Sequence, residues 1–262
     1  MGRGTMRLDH RLHGRGEAPA LVLANSLGTG QHLWSRQLPE LTERFRVLTY
    51  DHPGHGASGL PEEPCTVEAF AQSLLELLDA LALERVSLCG TSLGGMVGLA
   101  LALEAPERVE RLVLSCTSAY LGPPAGWAER ARRVRADGME AIADSVVVRW
   151  FTPEFPREEP ETVARFRAML VATPPEGYAR CCEALAAWDA RERITAISVP
   201  TLVIAGAEDP AATPVEHAEL LVSRIPEARL VVLERAAHLA NVERAEEFTR
   251  AALDHLGQEV PV

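Results

Sequence analysis

Short apolar runs of strand length alternate along this chain with longer stretches of helical periodicity, and that alternation constrains the fold more than any other feature. The runs are "ALVLANS" (20–26), "FRVLTYD" (45–51), "RVSLCG" (85–90), "VERLVLSCTS" (109–118), "VPTLVIAG" (199–206) and "ARLVVLE" (228–234). Helical patterns include "TVEAFAQSLLELLDALAL" (66–83), "HAELLVSRI" (217–225) and "RAEEFTRAALDHL" (244–256). Strands buried on both faces read as unbroken apolar runs, and parallel strands need long, usually helical, crossovers. The expectation is an α/β fold with a mostly parallel central sheet and helices on both faces.

From 119 to 190 the alternation stops. The composition turns Arg-, Ala- and Glu-rich, with prolines at 123, 124, 153, 156, 160, 174 and 175. This predicts a helical lid inserted between two strands of one sheet, over the carboxyl ends where open α/β sheets bind ligands. The expected division is a core of residues 1–118 and 191–262 and a lid of residues 119–190.

With 262 residues and 47% hydrophobic content the chain is long and apolar enough for a full core. A formal charge of −11 argues against nucleic acid and anionic membrane partners and leaves small molecules as the expected ones. All 26 basic residues are arginine. Without lysine there is no Schiff-base chemistry, no pyridoxal phosphate attachment and no Walker-type phosphate loop. Five cysteines, at 65, 89, 116, 181 and 182, lack metal-ligand spacing and fit a reduced, cytoplasmic protein. No stretch has the length of a signal-peptide core or a membrane span, and "MGRGTM" reads as a frayed start. Oligomeric state is not encoded in any pattern.

Gly90-Thr91-Ser92-Leu93-Gly94 matches G-x-S-x-G between a buried strand and the helical pattern "LGGMVGLALALEAPE". Such a sharp strand-to-helix turn projects a serine hydroxyl near a helix N-terminus, where unpaired N–H groups favour developing negative charge. The alternative is that Ser92 merely caps the helix. A nucleophilic serine needs a base, and the base an orienting acid. Asp209, just past the run "VPTLVIAG", and His238, between "RLVVLE" and the last helical pattern, stand at the same sheet edge in the chain order Ser, acid, His; Glu208 is the spare acid. Oxyanion donors are expected from the backbone N–H groups of Leu93 and of Leu27 in "LANSLGTG". "DHPGHGAS" (51–58) reads as a tight structural loop, since His52 and His55 lack a third ligand; no metal and no cofactor are expected.

These residues, together with the phrases "LERVSLCGTSLGGMVG", "APERVERLVLSCTSAYLGPP" and "VVRWFTPEF", resemble the β-ketoadipate (3-oxoadipate) enol-lactonases, a branch of the α/β-hydrolase superfamily. Pro53 and Thr91 depart from that family's usual residues and also occur in general esterases. The resemblance implies an α/β-hydrolase fold and opening of a small carboxylate-bearing enol-lactone in aromatic-compound breakdown, with Ser92, Asp209 and His238 as the triad. A substrate carboxylate would then need a lid arginine, Arg149 or one of Arg130, Arg132, Arg133 and Arg135, and Trp150 could line the apolar side. Competing readings are a general carboxylesterase or cofactor-free perhydrolase, a lyase or synthase using the Ser–His pair as a base, and a non-catalytic receptor.

Overall fold

In the computed structural model, which describes residues 7–60 and 65–257, seven strands form one sheet: β1 (His10–His13), β2 (Ala20–Ala24), β3 (Arg46–Tyr50), β4 (Val86–Thr91), β5 (Val109–Ser115), β6 (Thr201–Gly206) and β7 (Arg229–Leu233). Their spatial order is β1-β3-β2-β4-β5-β6-β7, parallel except for β1, which runs antiparallel to β3 at one edge. The six apolar runs each supply one of β2 to β7. β1 was not legible: "HRLH" is exposed at three of its four positions, so it carries no apolar signal and joins the sheet through backbone pairing with β3 and a 3.1 Å contact between His13 Nε2 and Thr49 Oγ1. The stretch "MGRGTM" lies outside the described residues.

From the edge strand β1 the chain passes to β2, steps outward to β3, then crosses back over β2 to β4 and continues the other way. That reversal opens a crevice at the carboxyl ends of β2 and β4. The register pairs Ala24 with Gly90, so the loop after β2 starts level with the turn after β4.

The helices are α1 (Leu38–Arg44), α2 (Val67–Ala80), α3 (Leu93–Glu104), α4 (Pro124–Asp137), α5 (Glu140–Trp150), α6 (Phe155–Glu158), α7 (Pro160–Val171), α8 (Pro175–Ala187), α9 (Glu219–Arg224), α10 (Ala240–Glu243) and α11 (Ala245–Leu256). Thr66 caps α2 by accepting the Ala69 N–H at 3.1 Å. α3 packs on β2, β4, β5 and α2, and Leu93 through Ala102 are all buried, as a helix apolar all round requires. On the β5–β7 side α11 covers the sheet and also packs on α1.

Helices α4 to α8 lie between β5 and β6, α4 packing chiefly on α8 and α5 on α7. Pro124, Pro156, Pro160 and Pro175 stand at helix starts, where the missing N–H costs nothing and the fixed φ suits the first turn. Four of the seven prolines that interrupt the sequence pattern are thus helix initiators. Trp150, Phe151, Phe155 and Phe166 form an aromatic cluster that ties α5, α6 and α7 together. Among the described residues no helix is long and apolar enough to cross a membrane.

Candidate active site

Ser92 sits at the N-cap position of α3 with φ 56° and ψ −116°, a backbone conformation rare for a residue with a side chain. Two close approaches explain the flanking glycines. A Cβ on Gly90 would stand 2.3 Å from Gly94 O, and one on Gly94 would stand 2.1 Å from Ala24 O. The turn is pinned by Ser92 N–H donating to Ser115 O at 2.9 Å and by Thr117 Oγ1 donating to Ser92 O at 2.6 Å. The Ser92 side chain makes no capping hydrogen bond. Capping, the alternative role for this serine, is therefore absent, and Ser92 lines a cavity.

His238 lines the same cavity, in the loop between β7 and α10. Its Nδ1 lies 2.9 Å from Asp209 Oδ2. A carboxylate only accepts, so Nδ1 carries the proton and the neutral ring keeps a lone pair on Nε2. The side chain of Asp209 is fully buried. Burial opposes its ionisation, but the His238 ring and the N–H groups of Ala212 and Ala211, at 3.0 and 2.8 Å, hold its carboxyl below the ordinary value. Glu208 is exposed. Among the described residues no hydrogen bond joins Ser92 to His238, a contact that in unliganded sites often forms only with substrate.

Among the described residues the N–H groups of Leu27 and Leu93 have no acceptor, while their neighbours are committed: Gly28 N–H to His55 Nε2 at 3.0 Å, Thr29 N–H to Ser26 O at 3.1 Å and Gly94 N–H to Asn25 O at 2.9 Å. The "DHPGHGAS" loop holds this arrangement from below. His52 Nε2 donates to Asn25 O at 2.7 Å, and Asn25 in turn receives Trp34 Nε1–H at 2.9 Å and donates to Tyr50 O at 2.7 Å. Burial pushes His52 down to about 3 and His55 down to about 4, so both rings stay neutral. Among the described residues no group of three His, Cys, Asp or Glu is placed to hold a metal.

The cavity encloses about 370 Å³. From the helical insertion come Arg149 and Trp150 of α5 and Arg130 and Trp127 of α4. Arg149 is half-buried and has no hydrogen bond or ion pair among the described residues; burial, then the neighbouring Arg130, push its pKa below the usual arginine value. Arg130 stacks over the Trp127 ring at 4.7 Å. The other sequence candidates do not reach this wall: Arg132 pairs with Glu129, Arg133 is exposed, and Arg135 pairs with Glu176 and Glu183.

Two residues escaped sequence reasoning. His217 lines the cavity, although "HAELLVSRI" reads as an ordinary helix face. Glu243 lies five residues past His238; its Oε2 accepts Ala237 N–H at 2.6 Å, and its Oε1 accepts Thr152 N–H and Oγ1–H, both at 2.8 Å. With Leu239 N–H donating to Trp150 O at 2.9 Å, this fastens the histidine loop to the end of α5. A carboxylate soon after the histidine was the only available signal.

The chain matches the alpha/beta hydrolase fold family over residues 19–245. It is 39% identical to 3-oxoadipate enol-lactonase 2 of Acinetobacter baylyi, over 93% of this chain and 91% of that protein. A crystal structure of the enol-lactonase from Burkholderia xenovorans LB400 superimposes with a TM-score of 0.94 at 43% identity, covering 97% of each chain. A putative carbamate hydrolase RutD of Stutzerimonas stutzeri is 34% identical over 96% of this chain and 97% of that protein.

Proposed function

This chain belongs to the α/β-hydrolase fold family and is a hydrolase, and from that premise we propose that it opens 3-oxoadipate enol-lactone, a small lactone bearing a carboxylate, through an acyl-enzyme. Ser92 Oγ attacks the lactone carbonyl while His238 Nε2 takes its proton, and Asp209 holds the imidazole tautomer and stabilises the cation that forms. The Leu27 and Leu93 N–H groups receive the oxyanion of the tetrahedral intermediate. Collapse breaks the ring C–O bond and expels an enolate, which His238 protonates; its ketonisation disfavours reclosure. Water, deprotonated by His238, then adds to the acyl-enzyme and frees Ser92 and the acid. No metal or organic cofactor enters any step.

One observation carries the substrate class: the half-buried Arg149 guanidinium faces the cavity of Ser92 and His238 without a carboxylate of its own. The helices of residues 119–190 act as the lid that brings it there, with Trp150 against the apolar part of the substrate. A charge-assisted bond to a substrate carboxylate is worth about 1.5–3 kcal/mol. The test is kcat/KM of the purified protein on the enol-lactone acid and on its neutral methyl ester. The acid should be preferred by about tenfold to a hundredfold. Equal rates would make the chain a general carboxylesterase.

A further inference from the structure

His217, in the short helical turn Pro214–Ala218, lines the same cavity but takes no part in the chemistry above. Its ring is fixed at one end. Nδ1 lies 2.8 Å from Ser118 Oγ, and that hydroxyl is already committed, donating to Tyr120 O at 2.6 Å and accepting Tyr120 N–H at 3.0 Å. A carbonyl oxygen can only accept, so the one hydroxyl proton of Ser118 goes to Tyr120. The contact with His217 is then a hydrogen bond only if Nδ1 carries the ring proton. Ser118 is buried and its carbonyl receives Trp188 Nε1–H at 3.2 Å, which keeps the anchor in place. Nε2 is left as the working atom: a bare lone pair on the neutral ring, a cationic N–H donor on the protonated one.

The charges around it come from four directions. Glu216, on the same turn, places Oε2 3.8 Å from Nε2. Asp209 follows β6, Arg149 and Arg130 reach the cavity from α5 and α4, and Arg191 stacks on the Tyr120 ring at 4.1 Å. Burial favours the neutral ring, with Glu216 and Asp209 pulling the other way. An incoming anion tips that balance, because it adds a counter-charge to those of Glu216 and Asp209.

We propose that His217 is a specificity residue for the substrate carboxylate: binding of the anion draws one proton from solvent onto Nε2, which then shares the carboxylate with Arg149. This inference rests on the carboxylate-bearing substrate class proposed above. Affinity for the anion should fall as pH rises between the ring's free and liganded pKa values, since the protonated ring binds it better.

The test uses the whole protein and adipate, a flexible dicarboxylate without a scissile bond, as probe. Imidazole NMR, with the His217 resonance identified by its loss in His217→Gln, should show an Nδ1–H neutral tautomer. Saturating adipate should raise the ring's pKa by about one unit, equivalent to roughly tenfold tighter binding to the protonated form. Inhibition of 4-nitrophenyl acetate hydrolysis by adipate should weaken with rising pH in the unmutated protein, and that dependence should flatten in His217→Gln. If that variant does not fold, Ser118→Ala identifies the resonance and should relax the tautomer preference. An Nε2–H tautomer, or competitive inhibition by adipate with no change in the His217 titration, overturns the inference alone. Adipate that neither binds nor inhibits overturns it together with the carboxylate-substrate reading.

Discussion

The two walls of the cavity are built on opposite plans. On one, Leu27, Ser92, Asp209 and His238 follow the ends of β2, β4, β6 and β7, and the surrounding polar groups are tied into a dense hydrogen-bond network: Asp209 to two backbone N–H groups and His238, Asn25 to Trp34, His52 and Tyr50. On the other, Arg149 and Arg130 project from inserted helices, and the Arg149 guanidinium is half-buried with no partner among the described residues. Under the proposed reaction the difference separates two physical demands. Bond-making needs groups held within fractions of an ångström, which rigid strand ends supply. Recognition of an anion needs a charge left unsatisfied until the ligand arrives, because a paired one has nothing to gain. Glu243 and the Leu239–Trp150 hydrogen bond join the two walls, so the histidine and the end of α5 hold their relative positions.

The largest expected effect falls on the strand-borne wall. Asp209→Asn should lower kcat on acid and neutral substrates alike, by on the order of 10⁴, because the amide can donate to Nδ1 and favours the wrong imidazole tautomer. Glu208→Gln, at an exposed side chain, should change little. Steady-state kinetics of both variants decide the assignment. A reversed pattern would move the acid role to Glu208.

Much of that wall was legible because its constraints are local. Gly90 and Gly94 are demanded by backbone approaches within the turn and to β2, and the apolar runs mark strands buried on both faces. The other wall was legible only as composition. Which arginine of "ERARRVR" reaches the cavity depends on how α4 packs on α8, and the residues between carry no marker of depth. His217 was invisible, and Glu243 was marked only by its place soon after His238, because the groups that give them meaning, Ser118 and Thr152, lie 99 and 91 residues away. β1 was missed for a different reason: it contributes backbone hydrogen bonds at an edge and almost no buried apolar surface.

A smaller effect tests the scaffold beneath the strand-borne wall. His52 and His55 are neutral in the fold, pushed to about 3 and about 4 from an ordinary 6.5. As pH falls below 6.5 the unfolded chain takes up protons that the native rings refuse, so stability declines until the native rings titrate. At pH 5 the loss should be about 2 kcal/mol for each histidine. Urea unfolding at pH 7.5 and pH 5 measures it. Unchanged stability would mean that these rings are not held neutral, and that the Leu27 loop is anchored some other way.

The division of labour between the walls is tested most directly by the ratio of kcat/KM for the enol-lactone acid to that for its neutral methyl ester, measured in the unmutated protein, in Asp209→Asn and in Arg149→Ala. Asp209→Asn should lower both constants and leave the ratio in place, whereas Arg149→Ala should collapse the ratio from about tenfold or more toward unity. A ratio that survives Arg149→Ala, or one that vanishes with Asp209→Asn, would contradict that division of labour.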